Sequence, residues 1–284
     1  MKEYFENFSE ILKKDTTMSY FRDSRRIVVK VGTSTLTHST GHLNLRRIEK
    51  LVKVLSDMKN SGIQVVLVSS GAVSAGVAKV GFGSIPETPE AKQAMAAIGQ
   101  SELMKMYDKF FSVYGHTVAQ ILMTKDVLTN PARKSAVENT FKRLLEMNCI
   151  PIVNENDSVS TDELTKFGGN DILSAHVSTL CEADLLLNLS DVNGLYDSDP
   201  RDNPDARLID RVEQIDDKIL AIAGGAGTAR GTGGMIAKLN AAKIVTEAGI
   251  PMFILNGHEP EILYELLDGG HIGTYFCAPK RQNG

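Results

Sequence analysis

Six short runs of branched apolar residues, each separated from the next by a helical pattern or a polar turn, constrain this chain more than anything else in it. They lie at 26–31, 64–68, 117–122, 150–153, 184–189 and 251–255. Runs that are apolar on both sides fit strands buried on both faces, and their alternation with helices is the pattern of parallel βαβ units with right-handed crossovers. Between the first two runs, Leu45, Ile48, Leu51, Val52, Leu55 and Met58 define one helical face, and Gly62 ends it. The expected fold is therefore α/β, a three-layer αβα sandwich around a central, mainly parallel sheet.

The turns after these strands carry the chemistry. Val28-Val29-Lys30-Val31-Gly32-Thr33-Ser34 and Val68-Ser69-Ser70-Gly71-Ala72 both set an apolar run directly against a small or glycine-containing turn. Backbone N–H groups in such turns can cradle phosphate, and a lysine can meet its charge. Two more segments stand apart: Asn154-Glu155-Asn156-Asp157-Ser158, and Gly231-Thr232-Gly233-Gly234-Met235-Ile236-Ala237-Lys238. Together the four segments point to phosphoryl transfer. No Walker signature is present, which excludes a P-loop enzyme. Lys30, flanked by valines in a central strand, would be an expensive buried cation unless a partner or an anion meets it. Lys238 falls early in a helix, where acidic residues are preferred, which again suggests a shared anion.

Composition narrows the remaining classes. A chain of 284 residues with 42% hydrophobic and 23% charged content buries a large core, and a formal charge of -4 offers no bulk attraction to nucleic acid or an anionic membrane. Cys149, Cys181 and Cys277 are too few and too far apart for zinc spacing and suit buried thiols in a reducing compartment. No apolar run reaches the ~20 residues of a bilayer crossing, so a cytoplasmic location is expected. The six histidines fall at none of the motifs and are read as structural or exposed. Residues 1–25 form an N-terminal extension in which Phe5, Phe8, Ile11 and Leu12 predict a short helix. Two turn-rich stretches, 193–203 and 223–234, are read as working loops.

The ordered set of motifs, joined by Ser190-Asp191-Val192-Asn193-Gly194-Leu195-Tyr196, resembles the glutamate 5-kinase family of the amino-acid kinase superfamily from about Arg26 to about Ala278. The resemblance implies an amino-acid kinase domain over 26–284, with glutamate bound by its N-terminal part and ATP by its C-terminal part. It implies phosphorylation of the γ-carboxylate of L-glutamate, the first step of proline biosynthesis. Lys30, Asp171 and Lys238 match the catalytic positions, with the aspartate organising both lysines. Ser70, Asp157 and Asn170 match glutamate-binding positions. Lys30, Gly32, Thr33, Ser190, Asp191, Thr232, Gly233, Gly234, Met235 and Lys238 match ATP-binding ones. ATP with Mg²⁺, feedback inhibition by L-proline and homo-oligomerisation are implied in the same way; no metal-ligating side chain is assigned.

Two departures from the family pattern stand out. The sequence shows no PUA domain of the kind many members carry at the C-terminus, and Gly169 stands where an acidic residue commonly precedes Asn170-Asp171. Other readings remain open at this stage: a kinase of the same fold acting on another carboxylate, a carbamate or a nucleoside monophosphate, or a non-catalytic sensor of nucleotides or amino acids.

Overall fold

A computed structural model describes residues 24–160, 167–223 and 234–279; the expected helix within 1–25 lies outside them. In chain order the elements are β1 (Arg26–Val31), α1 (Thr33–Leu36), α2 (Leu45–Asn60), β2 (Gln64–Val68), α3 (Ala72–Val80), α4 (Pro89–Val113), β3 (Val118–Met123), α5 (Pro131–Glu146), β4 (Ile150–Glu155), α6 (Asn170–Leu180) and β5 (Leu185–Ser190). Then follow β6 (Leu195–Tyr196), β7 (Leu208–Ile209), β8 (Arg211–Val212), α7 (Asp217–Ala223), α8 (Met235–Glu247), β9 (Met252–Asn256), α9 (Ile262–Leu267) and β10 (Thr274–Phe276).

Eight strands form one sheet in the order β3-β4-β2-β1-β5-β9-β10-β8, parallel throughout except where β10 runs antiparallel to β9. All six expected strands are present, shifted by no more than two residues at an end. The two-residue β6 and β7 pair as a separate antiparallel ribbon.

Strand periodicity of two sorts β1 between the two layers. Ile27, Val29 and Val31 join a core with α2, α4 and α9, which supply Leu51, Leu55, Tyr107, Phe111 and Leu263. Val28 faces the other way, into a core with α5, α6 and α8, which supply Phe141, Leu173, Val177, Leu239 and Val245. The three layers read from the sequence are thus helices, sheet, helices. Lys30 occupies the next position after Val28 on the second face, beneath α6 and α8.

Local sequence sets the helix ends. Asn44 caps α2 by accepting from the Arg47 backbone N–H at 3.1 Å, and Gly62 leaves the helix with φ 98, which suits glycine because it lacks a Cβ. Helices α3 and α4 meet backbone to backbone. A Cβ on Gly99 would stand 1.8 Å from the Ala72 carbonyl oxygen, and one on Gly76 would stand 1.9 Å from that of Met95.

Order along the sheet matters for function. The chain leaves β1 for β2, on the side that also holds β4 and β3, whereas β5 leads to β9 on the other side. The crevice at the carboxyl ends of β1 and β5 is therefore a topological switch point, where open parallel sheets bind ligands.

Candidate active site

Lys30 on β1 and Asn188 on β5 are register partners, so both side chains rise from the same face of the sheet beside the switch point. Asp171, in the first turn of α6, descends between them. Its Oδ1 receives Lys30 Nζ at 2.6 Å and Asn188 Nδ2 at 2.8 Å, and its Oδ2 receives Lys238 Nζ from α8 at 3.1 Å. Three elements distant in sequence thus converge on one carboxylate. Lys30, Asp171 and Lys238 are 6%, 4% and 5% exposed, so this is a dry charge cluster rather than a surface ion pair.

Burial pushes the Lys30 ammonium below its ordinary range, and Lys238 adds to that effect, while Asp171 opposes it. Burial also works to raise the Asp171 carboxyl, but Lys30, Lys238 and the Asn188 amide outweigh it and hold the carboxyl below its usual value. Two ammonium groups share this carboxylate and concentrate positive charge in a buried place, with Asp191 offsetting part of it at Lys30. Such a charge is costly alone and favourable once a polyanion arrives.

The first turn of α1 faces this cluster. Lys30 Nζ lies 3.7 Å from where a Cβ on Gly32 would stand, and α1 begins at Thr33 without a side-chain cap. Early N–H groups of Thr33 and Ser34 have no intrahelical acceptor and can donate to phosphate. Across the crevice, the buried Ser190 hydroxyl donates to the exposed Asp191 carboxylate at 3.0 Å. Gly234 and Met235 start α8, while Thr232 and Gly233 lie outside the described residues.

A second polar group adjoins the first. Asn170, immediately before Asp171, holds the two N–H donors of Nδ2 among three acceptors, the Ser69 carbonyl at 2.6 Å, Ser70 Oγ at 2.9 Å and Asn154 Oδ1 at 2.9 Å. Asn154 Nδ2 in turn donates to Gln100 Oε1 on α4 at 2.9 Å. Ser69 Oγ meets the fully buried Tyr107 hydroxyl at 2.8 Å, whose pKa burial raises. Asp157 lies beyond this relay, in the wall of a cavity of about 640 Å³ shared with Ala72, Gln100 and Asn156. Glu155, itself in the cavity wall, accepts through Oε1 from Ser160 Oγ at 3.1 Å and from the Phe167 backbone N–H at 3.0 Å.

A larger cavity, about 870 Å³, is lined by Arg25, Arg26, Glu182 and Asp184. It opens at the amino ends of β1, β2 and β5, the wrong end of a parallel sheet for a ligand site.

The structure brings Lys30, Asp171 and Lys238 together and gathers Ser70 and Asn170 around Asn154, with Asp157 on the neighbouring cavity. Gly169, the departure at the family motif, has φ 107 and opens α6; a side chain there would be strained, yet Asn170 and Asp171 still occupy the first turn. One expectation needs correction: Cys149 and Cys181 are buried but Cys277 is only half-buried. Asn154, Gln100, Tyr107 and Asn188 were not singled out as site residues by sequence reasoning. Asn188 left a trace, a lone amide in the run Leu185-Leu186-Leu187-Asn188-Leu189.

Residues 25–256 match the model of the amino acid kinase family. The chain is 56% identical over 262 residues to a glutamate 5-kinase of Clostridium perfringens, covering 91% of this chain and 97% of that protein. It belongs to the glutamate 5-kinase branch of the amino acid kinase family. A second member, from Listeria monocytogenes, is 48% identical over 264 residues, covering 92% of this chain and 96% of that protein. Solved structures share the fold at low identity. Carbamate kinase from Giardia lamblia bound to AMP-PNP superposes with a TM-score of 0.64 at 18% identity, covering 90% of this chain and 99% of that one. UMP kinase from Bacillus anthracis gives 0.59 at 17%, covering 89% and 96%.

Proposed function

We propose that this chain transfers the γ-phosphoryl group of ATP to the γ-carboxylate of L-glutamate, yielding L-glutamyl 5-phosphate and ADP for proline biosynthesis. The observation that carries the reading is the single carboxylate of Asp171 holding two buried lysines beside the switch point. A glutamate side chain titrates near ~4.3, so the nucleophile is already ionised and no general base is required. The demand is instead electrostatic: two anions must be aligned, and charge spreading over the transferring group must be offset. Lys30 would meet the β- and γ-phosphates beside the N–H groups of Gly32 and Thr33, and Lys238 would approach from α8. Asp171 fixes both ammonium groups so that neither has to reorganise during transfer.

In the same reading the N-terminal part of the domain binds the amino acid through Ser70, Asn170 and Asp157, the last taking the ammonium. The C-terminal part binds nucleotide along Ser190, Asp191, Gly234 and Met235, with Thr232 and Gly233 just before them in sequence. Among the described residues no group of three or more His, Cys, Asp and Glu side chains could hold a metal ion, and Asp171 is already engaged by lysines. The described side chains therefore form no Mg²⁺ cage. The ion is proposed to arrive on the nucleotide, held by phosphate oxygens and water, as Mg²⁺ commonly is. No described helix is long and apolar enough to cross a membrane, in keeping with a cytoplasmic enzyme. A homo-oligomer is proposed on family grounds.

Proline shares the α-carboxylate and cationic amine of glutamate, so an overlapping pocket would bind both, and proline is proposed as a competitive inhibitor. The test of the main reading is an ATP-dependent assay in which hydroxylamine traps acyl phosphates. L-Glutamate should give the hydroxamate. Equal or greater turnover with aspartate, N-acetylglutamate or carbamate would reassign the substrate, and no turnover with any of them would favour a sensor.

A further inference from the structure

The polarity of the amide relay at the amino-acid pocket is not free to invert. The Glu155 backbone N–H can only donate, and it donates to Asn154 Oδ1 at 2.9 Å. Asn154 must therefore offer its NH₂ to Gln100, at 2.9 Å, so the Gln100 oxygen accepts. What remains of the Gln100 amide is its Nε2, two N–H donors with no protein partner among the described residues, on a side chain only 8% exposed that lines the 640 Å³ cavity next to Asp157. A backbone amide has thus fixed, through two side chains, a donor in the cavity wall. Nε2 is reached from the cavity that Gln100 lines, so a ligand acceptor there can meet it.

We infer that Gln100 is a specificity-determining residue that donates from Nε2 to the α-carboxylate of the amino-acid substrate. The inference rests on the proposed function and deepens it. Asp157 and Gln100 lie on the same cavity with opposite preferences: a carboxylate for the substrate ammonium, an amide donor for its carboxylate. Ala72, Ala96 and Ala97 supply apolar wall beside Gln100, and Ser101, Lys105 and Asn156 line the same cavity. The relay runs on through Asn154 to Asn170, one residue from Asp171, so occupation of the α-carboxylate position is mechanically joined to the phosphoryl site.

The test compares L-glutamate with its α-amide as acceptors, using the trapped acyl phosphate as readout, in the wild type and in Gln100→Glu at mildly alkaline pH. The carboxylate of Gln100→Glu still accepts from Asn154 but repels an α-carboxylate and welcomes an α-amide N–H. The kcat/KM ratio of glutamate to its α-amide should fall about tenfold or more, through KM for the amino acid, with KM for ATP unchanged. Equal losses on both acceptors, or an unchanged ratio, would overturn the inference. If the melting temperature of Gln100→Glu shows that it does not fold, Gln100→Met gives the decision: it removes the donor at similar length, and an unchanged ratio there would equally overturn it. Failure of the wild type to phosphorylate glutamate at all would sink the proposed function and this inference with it. An active wild type with an unaltered ratio in the variants would sink the inference alone.

Discussion

At the scale of single residues, the site turns on how one carboxylate manages two buried cations. Asp171 opposes the burial that lowers Lys30, so Asp171→Asn should let the Lys30 pKa fall further. Charged Lys30 then survives only at lower pH: the alkaline limb of kcat should move to lower pH in the variant, and its residual activity should rise as pH falls. A pH-rate profile with an unmoved alkaline limb would show that Lys30 is not the group being held. For the amino-acid side, Asp157→Ala should mainly raise KM for glutamate while kcat changes less, and should weaken inhibition by proline in parallel, as steady-state inhibition patterns would reveal. That Lys30 needs a buried partner was legible, because a cation among Val28, Val29 and Val31 is costly alone, and the structure pairs it with Asp171. Gln100 was not legible, since a glutamine beside alanines on a helix looks like a surface position. Only the direction of the Glu155 N–H gives it a role.

At the scale of elements, α3 and α4 have to touch for the Ser69-Ser70-Gly71 turn and the Gln100 amide to share one site. Their approach leaves no room for a side chain at Gly99 or Gly76. Gly99→Ala would place a methyl group against the Ala72 carbonyl, so the helices must separate; a loss of about 1–3 kcal/mol is expected by chemical denaturation. Because α3 carries the turn that receives Asn170, KM for glutamate should rise in the same variant. A fully stable Gly99→Ala with unaltered kinetics would mean the close packing does not position the site. The long strands and α2 were readable because burial on both faces, or on one helical stripe, leaves a periodic record. The short strands β8 and β10 and the β6–β7 ribbon were not, because two- or three-residue strands are set by distant partners such as Thr274, which receives the Leu195 N–H at 2.7 Å.

At the scale of the whole molecule, the doubly wound order places Lys30 and Lys238 at the point where neighbouring strands lead the chain in opposite directions, with the Asn154–Asn170 relay on the β2 and β4 side and the proposed nucleotide turns toward β5 and α8. Ligand binding should therefore join the two halves: ATP at a hundred times its Kd should add about 2.7 kcal/mol to the free energy of unfolding by linkage alone, measurable as a shift in denaturation. The central claim is that the buried lysines act on the travelling phosphoryl group rather than on the fold. Lys238→Met tests it most directly, because the remaining Lys30 and Asp171 form a neutral pair that the core can keep. With both substrates saturating and the melting temperature monitored, kcat should fall by about 10²-fold or more, equivalent to about 2.7 kcal/mol of transition-state stabilisation, while KM for glutamate stays within a few-fold of wild type. A folded Lys238→Met enzyme with near-wild-type kcat would contradict the assignment.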